Sequence, residues 1–141
     1  MRLDVVPARA HRPDEYRDIF EGYRAIRMID ESGRLRGELV WRLATGQTVE
    51  ITEIGVFDES DRRQGWGTRL LEAGLADMQA FFCDKPYSLR RVYLFCESIN
   101  KAGRAFYEHR GFLETAVLEA FYDYCDGVLY VLDVTKRADE G

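Results

Sequence analysis

Arg62, Arg63, Gln64, Gly65, Trp66, Gly67 and Thr68 stand in a row between an acidic turn and an amphipathic run. A turn of this kind, leading into a helix, presents unpaired backbone N–H groups and the positive end of a helix dipole. Two glycines let the main chain come close to a ligand, and two arginines add charge. The chemistry is capture of an anion, with a pyrophosphate as the expected form. The turn is not a P-loop, because no Gly-Lys-Ser/Thr follows a first glycine at the required distance. It is not a dinucleotide fingerprint either, since the third glycine would fall at Leu70. Taken alone, it could also be an ordinary strand-to-helix connection whose glycines serve only a positive φ.

A second set of residues follows one strand and one helix later. Asn100, Tyr107, Gly111 and Phe112 occur as Asn-x6-Tyr-x3-Gly-Phe, with Phe106 beside the tyrosine. On a helix, residues seven apart project from nearly the same side, so Asn100 and Tyr107 would face one space. Each has a plainer reading: Phe106 and Phe112 as core, Tyr107 as a packing residue, Asn100 as a helix cap.

These residues need a scaffold. Leu3 to Val6 reads as a short strand stopped by Pro7; residues 9–13 read as loop, and Asp14 as the N-cap of a short helix to Phe20 or Glu21. Tyr23 to Asp30 and the stretch from Leu35 to Leu43 form an antiparallel hairpin around Asp30-Glu31-Ser32-Gly33. In the second of these strands Leu35, Gly37, Leu39, Trp41 and Leu43 share a face, with Arg36, Glu38 and Arg42 opposite. Thr48 to Phe57 is the next strand. Val49 and Ile51 lie on odd positions but Ile54 and Val56 on even ones, so one extra residue near Thr52-Glu53, a β-bulge, would restore the phase. A strand buried on both faces would explain the pattern equally.

From Thr68 to Phe82, Leu71, Leu75, Met78 and Phe82 keep helical spacing, with Arg69, Glu72, Asp77 and Gln79 toward water. Val92 to Cys96 is apolar throughout, as for a strand covered on both faces. A helix over Lys101–Arg110 ends at Gly111. Glu114 to Tyr122 and Val128 to Val134 make a closing hairpin, and 135–141 is a frayed tail. The whole is an α/β (α+β) domain spanning 1–141.

The chain has 141 residues, 46% hydrophobic and 32% charged, with a formal net charge of −5. That balance disfavours sequence-independent binding to DNA or RNA through Arg62, Arg63, Arg90 and Arg91. Cys83, Cys96 and Cys125 are odd in number and form no metal-ligand spacing. No run has signal-peptide or membrane-span character, and a cytoplasmic setting is expected.

In order and spacing the two constellations resemble the GNAT superfamily of N-acyltransferases that use acetyl-CoA. Its Gln/Arg-x-x-Gly-x-Gly/Ala pattern is matched by Arg62, Gly65 and Gly67, and its Asn…Tyr…Gly-Phe pattern by Asn100, Tyr107, Gly111 and Phe112. The likeness covers roughly Val49 to Val134; upstream it fits only by strand order. It implies a mixed, mostly antiparallel central sheet with a splayed parallel strand pair and flanking helices. Acetyl-CoA is then the co-substrate, with no metal. The amides of residues 63 to 68 (Arg63, Gln64, Gly65, Trp66, Gly67, Thr68), with Arg62, would hold the pyrophosphate. Main-chain groups of Val56 and Phe57 and the side chain of Asn100 would hold the pantetheine arm.

The implied reaction is direct attack of an amine on the thioester. Tyr107 is the expected acid, since a phenol of pKa about 10 is neutral at pH 7. Glu53 is the expected base, ahead of Glu50 and Glu97, and the N–H of Val56 or Phe57 the oxyanion donor. The expected partner is a primary amine, a small molecule or a peptide N-terminus, with a homodimer admitted and neither nucleic acid nor membrane. The alternative is a catalytically inactive module of the same fold that binds CoA. The segment Ala120-Phe121-Tyr122 to Tyr130 looks like the hairpin of protein N-terminal acetyltransferases. Those commonly carry a glutamate five residues before the asparagine, where this chain has Phe95.

Overall fold

A computed structural model describes residues 1–7 and 23–135 of the chain. Among them are seven strands: β1 (Arg2–Pro7), β2 (Tyr23–Ile29), β3 (Leu35–Thr45), β4 (Thr48–Val56), β5 (Arg91–Glu97), β6 (Leu113–Leu118) and β7 (Gly127–Asp133). Two helices, α1 (Trp66–Phe82) and α2 (Lys101–His109), join them. The strands form one sheet in the order β1-β2-β3-β4-β5-β7-β6, antiparallel throughout except for the parallel pair β4 and β5. This is the mixed sheet expected from the sequence. The loop expected at 9–13, the helix expected from Asp14 and the tail beyond Thr135 lie outside the described residues.

Directly opposed residues of antiparallel strands share a face. Ile26, Leu39 and Ile54 line up in this way, as do Trp41 and Ile51. Onto that face α1 lays Leu70, Leu71, Met78 and Phe82, all buried. The helix comes so close at Gly74 that an added Cβ would sit 2.8 Å from a Leu39 methyl. The bulge is present: Val40 faces Glu53 while Trp41 faces Ile51, which makes Thr52 the extra residue. It returns Ile54 and Val56 to the core face, where both pack against the cluster.

Asp77 departs from its expected place in water. Its carboxylate accepts the Trp41 indole N–H at 2.9 Å and a two-pronged pair from Arg24, also at 2.9 Å. Trp41 is buried in the core and its N–H needs a partner there. Asp77→Ala is therefore expected to destabilise the fold by about 2 kcal/mol in urea titration, from the orphaned indole and a part-exposed arginine. An unchanged midpoint would show the three-residue tie to be redundant.

Two strands also differ from their sequence reading. In β5 only Val92, Leu94 and Cys96 are buried, while Tyr93 and Phe95 on the other face are half-buried. Strand β6 ends at Leu118 rather than running to Tyr122. Ala120 turns the chain at φ 53°, its amide bonded to the Asp126 carboxylate at 2.9 Å. All six β6 residues are exposed, as an edge strand allows.

Candidate functional site

Strands β4 and β5 are paired only across Thr48/Arg91, Val49/Val92 and Glu50/Tyr93. Beyond Glu50 they part, at the bulge, and a cleft opens between the two halves of the sheet. Main-chain groups alternate sides along a strand. The Phe57 amide donates to the Arg36 carbonyl at 2.9 Å, which commits Phe57 to β3. By the same alternation Ile54 and Val56 turn their N–H and C=O groups to the opening. Of the two residues expected there, Val56 faces the cleft and Phe57, 46% exposed, does not. The Val56 carbonyl already accepts from Arg62 Nε at 3.2 Å.

The cleft consists of two cavities that share Ile54, Asn100 and Tyr107. The larger, about 380 Å³, is lined by Gly55, Val56, Arg62, Gly67, Gly103 and Phe106 as well. The smaller, about 200 Å³, adds Glu53, Phe95, Cys96, Glu97 and Tyr122. The larger cavity carries a guanidinium. The smaller carries two carboxylates and, among its lining residues, no cation.

The larger cavity lies against the start of α1. The turn before it is pinned by Arg36, whose guanidinium reaches Asp61 at 2.7 Å, Asp30 at 3.1 Å and Asp58 at 3.5 Å. Arg63 and Gly65 both adopt positive φ, 63° and 84°, and Gly65 is the N-cap. The first intrahelical bond runs from Arg69 N to Gly65 O, so the amides of Trp66, Gly67 and Thr68 have no helical acceptor. No side chain caps this end and its first turn holds no acid. Open space lies in front of Gly65, whereas a Cβ on Gly67 would meet the Phe106 ring at 3.3 Å. The first glycine serves backbone conformation and access; the second serves packing between α1 and α2. Gln64 donates its side-chain amide to the Ser60 carbonyl at 2.6 Å, holding the turn rather than facing the cleft.

Arg110 escaped the sequence reading. Its guanidinium lies over the Phe106 ring, 4.1 Å from the centroid, and donates through two nitrogens to the Thr68 hydroxyl. No spacing rule announces it, because the contact joins the end of one helix to the start of another. It adds a third positive charge near an already positive helix terminus, after Arg62 and Arg63.

Asn100 caps α2, its Oδ1 accepting the Gly103 amide at 3.0 Å. That leaves the side-chain NH₂ to donate into the cleft. Gly103 has no room for a side chain, since a Cβ would fall 2.5 Å from Asn100 Nδ2. Gly103→Ala is thus expected to dislodge Asn100, costing about 1 kcal/mol of stability as a lost cap. Ligand affinity at the cleft should fall in parallel, and a melt together with calorimetry would read both. A variant with wild-type values for each would show that the amide can move aside freely.

Tyr107, seven residues on, reaches the middle of the cleft. Its ring packs on Phe106, Phe112 and Tyr130, with centroids 5.5 to 5.8 Å away. The hydroxyl makes no hydrogen bond to another described residue. Burial is the main cause that lifts this phenol well above its ordinary pKa, with smaller contributions from Cys96 and Tyr122. It stays protonated at any physiological pH.

The three carboxylates are not equivalent. Glu50 accepts from Arg42 at 2.8 Å and from the Tyr93 hydroxyl. Glu97 accepts from the Tyr124 hydroxyl, which pushes that phenol up to about 12. Glu53 is exposed, and its carboxylate makes neither a hydrogen bond nor an ion pair with another described residue. As an open proton acceptor at the cleft it stands apart from the other two.

A family model described as acetyltransferase (GNAT) family matches residues 5–112. It reaches upstream of Val49, where the sequence motifs are silent. Several solved structures share the fold. The IAA acetyltransferase from Bacillus cereus has a TM-score of 0.74 at 14% identity, over 94% of this chain and 98% of that one. A GNAT family acetyltransferase from Elizabethkingia anophelis, solved with acetyl-CoA bound, gives 0.72 at 16%, over 93% and 97%. The ribosomal-protein-S18-alanine N-acetyltransferase from Escherichia coli gives 0.67 at 19%, over 81% and 70%. No curated protein matches the sequence significantly.

Proposed function

The chain belongs to the acetyltransferase (GNAT) family, and from that premise we propose that it transfers an acetyl group from acetyl-CoA to a primary amine within a ternary complex. The observation that carries this reading is the parting of β4 from β5 beside an uncapped helix terminus. One continuous cleft has anion-holding groups at one end and carboxylates at the other.

The residues fit the donor. Free amides of Trp66, Gly67 and Thr68, the open turn at Arg63, Gln64 and Gly65, and the charges of Arg62, Arg63 and Arg110 suit a pyrophosphate. Ile54 and Val56 offer main-chain groups in strand geometry to the amides of an extended arm, and Asn100 offers its NH₂. The Val56 N–H is the donor for the developing oxyanion. Tyr107 donates to the departing thiolate. A thiol has a pKa near 8.5, so full transfer from a raised phenol would run uphill in water. The burial that raises the phenol raises the thiol as well, and donation begins as a hydrogen bond to the growing negative charge. Glu53 takes the proton from the amine, directly or through a water.

The test is calorimetry with acetyl-CoA, followed by an acceptor screen over small amines, amino acids and peptides read by release of free CoA. Saturable binding with turnover supports the reading. Binding without release across the screen favours a module that holds CoA without catalysis. No binding overturns the proposal.

A further inference from the structure

The two ends of the cleft differ in charge, and the difference bears on the acceptor. The smaller cavity is walled by Glu53 on β4 and Glu97 on β5, by the rings of Phe95 and Tyr122, and by Asn100 and Tyr107. Its lining residues include no lysine, arginine or histidine. Arg42 is committed to Glu50 at 2.8 Å, and Arg104, whose charge reaches Cys96 of the cavity wall, to Glu114 at 2.6 Å. The aromatic wall is fixed in place. Phe95 stacks on Phe121 with centroids 4.8 Å apart, Phe121 meets Tyr122 edge-on at 5.0 Å, and Tyr122 stacks on Tyr124 at 6.2 Å. The Tyr124 hydroxyl ties the end of this ladder back to Glu97. Two carboxylates and two aromatic side chains around one small space, with no basic residue in its lining, favour a cation.

We infer that the acceptor is a short amine carrying a second positive charge, such as an α,ω-diamine. Its attacking nitrogen lies beside Glu53 and Tyr107, and its far ammonium is held by Glu97 and the rings of Phe95 and Tyr122. This rests on the acetyl-transfer reading above. A cavity of about 200 Å³ that opens to solvent has room for a short, unbranched chain. The second charge also helps the chemistry. An alkyl ammonium has a pKa near 10.4, and a positive charge a few ångströms away lowers it, enlarging the neutral fraction that can attack.

In the step itself, the ammonium first gives one proton to Glu53, which passes it to water. The neutral nitrogen then forms the C–N bond to the acetyl carbonyl carbon, and the C–S bond breaks. The thiolate takes the Tyr107 proton, and the second proton lost from nitrogen restores the phenol through solvent. Amide, free thiol and one released proton balance the reaction.

The experiment compares pentane-1,5-diamine with 5-aminopentan-1-ol and 5-aminopentanoic acid on the intact chain. The chain length stays fixed while the far end is positive, neutral or negative. The diamine is expected to exceed the amino alcohol by about tenfold in kcat/KM at low salt, with the acid poorest, and the advantage should shrink as salt rises. Glu97→Gln should erase most of that advantage through KM for the diamine. Equal kcat/KM for diamine and amino alcohol overturns the inference, as does a Glu97→Gln loss that is uniform across the three acceptors. Acetyl-CoA bound in calorimetry but no turnover of the diamine overturns the acceptor class while leaving the donor reading standing. Failure to bind acetyl-CoA removes the reading beneath it.

Discussion

Tyr107→Phe is expected to lower kcat by about a hundredfold while leaving the acetyl-CoA dissociation constant within about twofold of wild type. The hydroxyl has no partner among the described residues, and the ring is gripped by Phe106, Phe112 and Tyr130. The substitution therefore removes a donor without opening a cavity or orphaning another group. Stability should hold, so a fall in rate is chemical rather than structural. The raised phenol pKa gives a second signature. A group whose pKa is raised is protonated below it, so the donor form persists up to and beyond pH 10. Tyr107 then contributes no falling alkaline limb to kcat below that pH, and the variant should keep the wild-type profile at a lower level. Unchanged kcat removes Tyr107 as the acid. An alkaline limb near pH 8 that vanishes in the variant would contradict the burial of the phenol.

Gly65→Glu should weaken acetyl-CoA binding by about a hundredfold or more, read by calorimetry. The position has φ 84° with open space before it, in front of three unbonded amides. A glutamate there places a carboxylate in the space proposed for the pyrophosphate. It competes for the amides and repels the ligand, and loss of even two charge-assisted hydrogen bonds reaches about 3 kcal/mol. Gly65→Ala separates the causes. It carries the strain of a left-handed L-residue, about 1–2 kcal/mol of stability, without the charge or the bulk. Affinity near wild type in the alanine variant and its collapse in the glutamate variant would locate the effect in the ligand's space. Equal affinity in Gly65→Glu and wild type would remove the pyrophosphate from this turn.

Much of this site was legible in the residues because its parts are local. The glycine turn, the Asn-x6-Tyr spacing and the phase slip at Thr52 are each set by neighbours within a few positions. What escaped depends on partners far along the chain. Asp77 looked like a solvent-facing helix residue until Trp41, 36 positions earlier, brought its indole N–H to it. Arg110 reaches Thr68 across 42 positions. The orientation of Phe57 follows from its pairing with Arg36 and not from its own sequence. The hydrophobicity of Val92 to Cys96 suggested cover on both faces, but Tyr93 and Phe95 belong to an aromatic wall that a run of apolar letters does not distinguish from core. Sorting Glu53 from Glu50 and Glu97 likewise required knowing that Arg42 and Tyr124 occupy the other two.

The short parallel ladder between β4 and β5 has a mechanical meaning. The sheet is two panels stitched along three residue pairs, with an unsewn edge from Ile51 to Val56. An extended ligand lying along that edge would serve as the missing seam, a structural member as much as a reactant. Amide hydrogen exchange can see this residue by residue. Ile54 and Val56 should be poorly protected in the free protein and slow markedly with acetyl-CoA, while Gly55 and Phe57, already stitched to β3, should change little. Uniform slowing along the strand would mean that the ligand stiffens the panel without joining its edge.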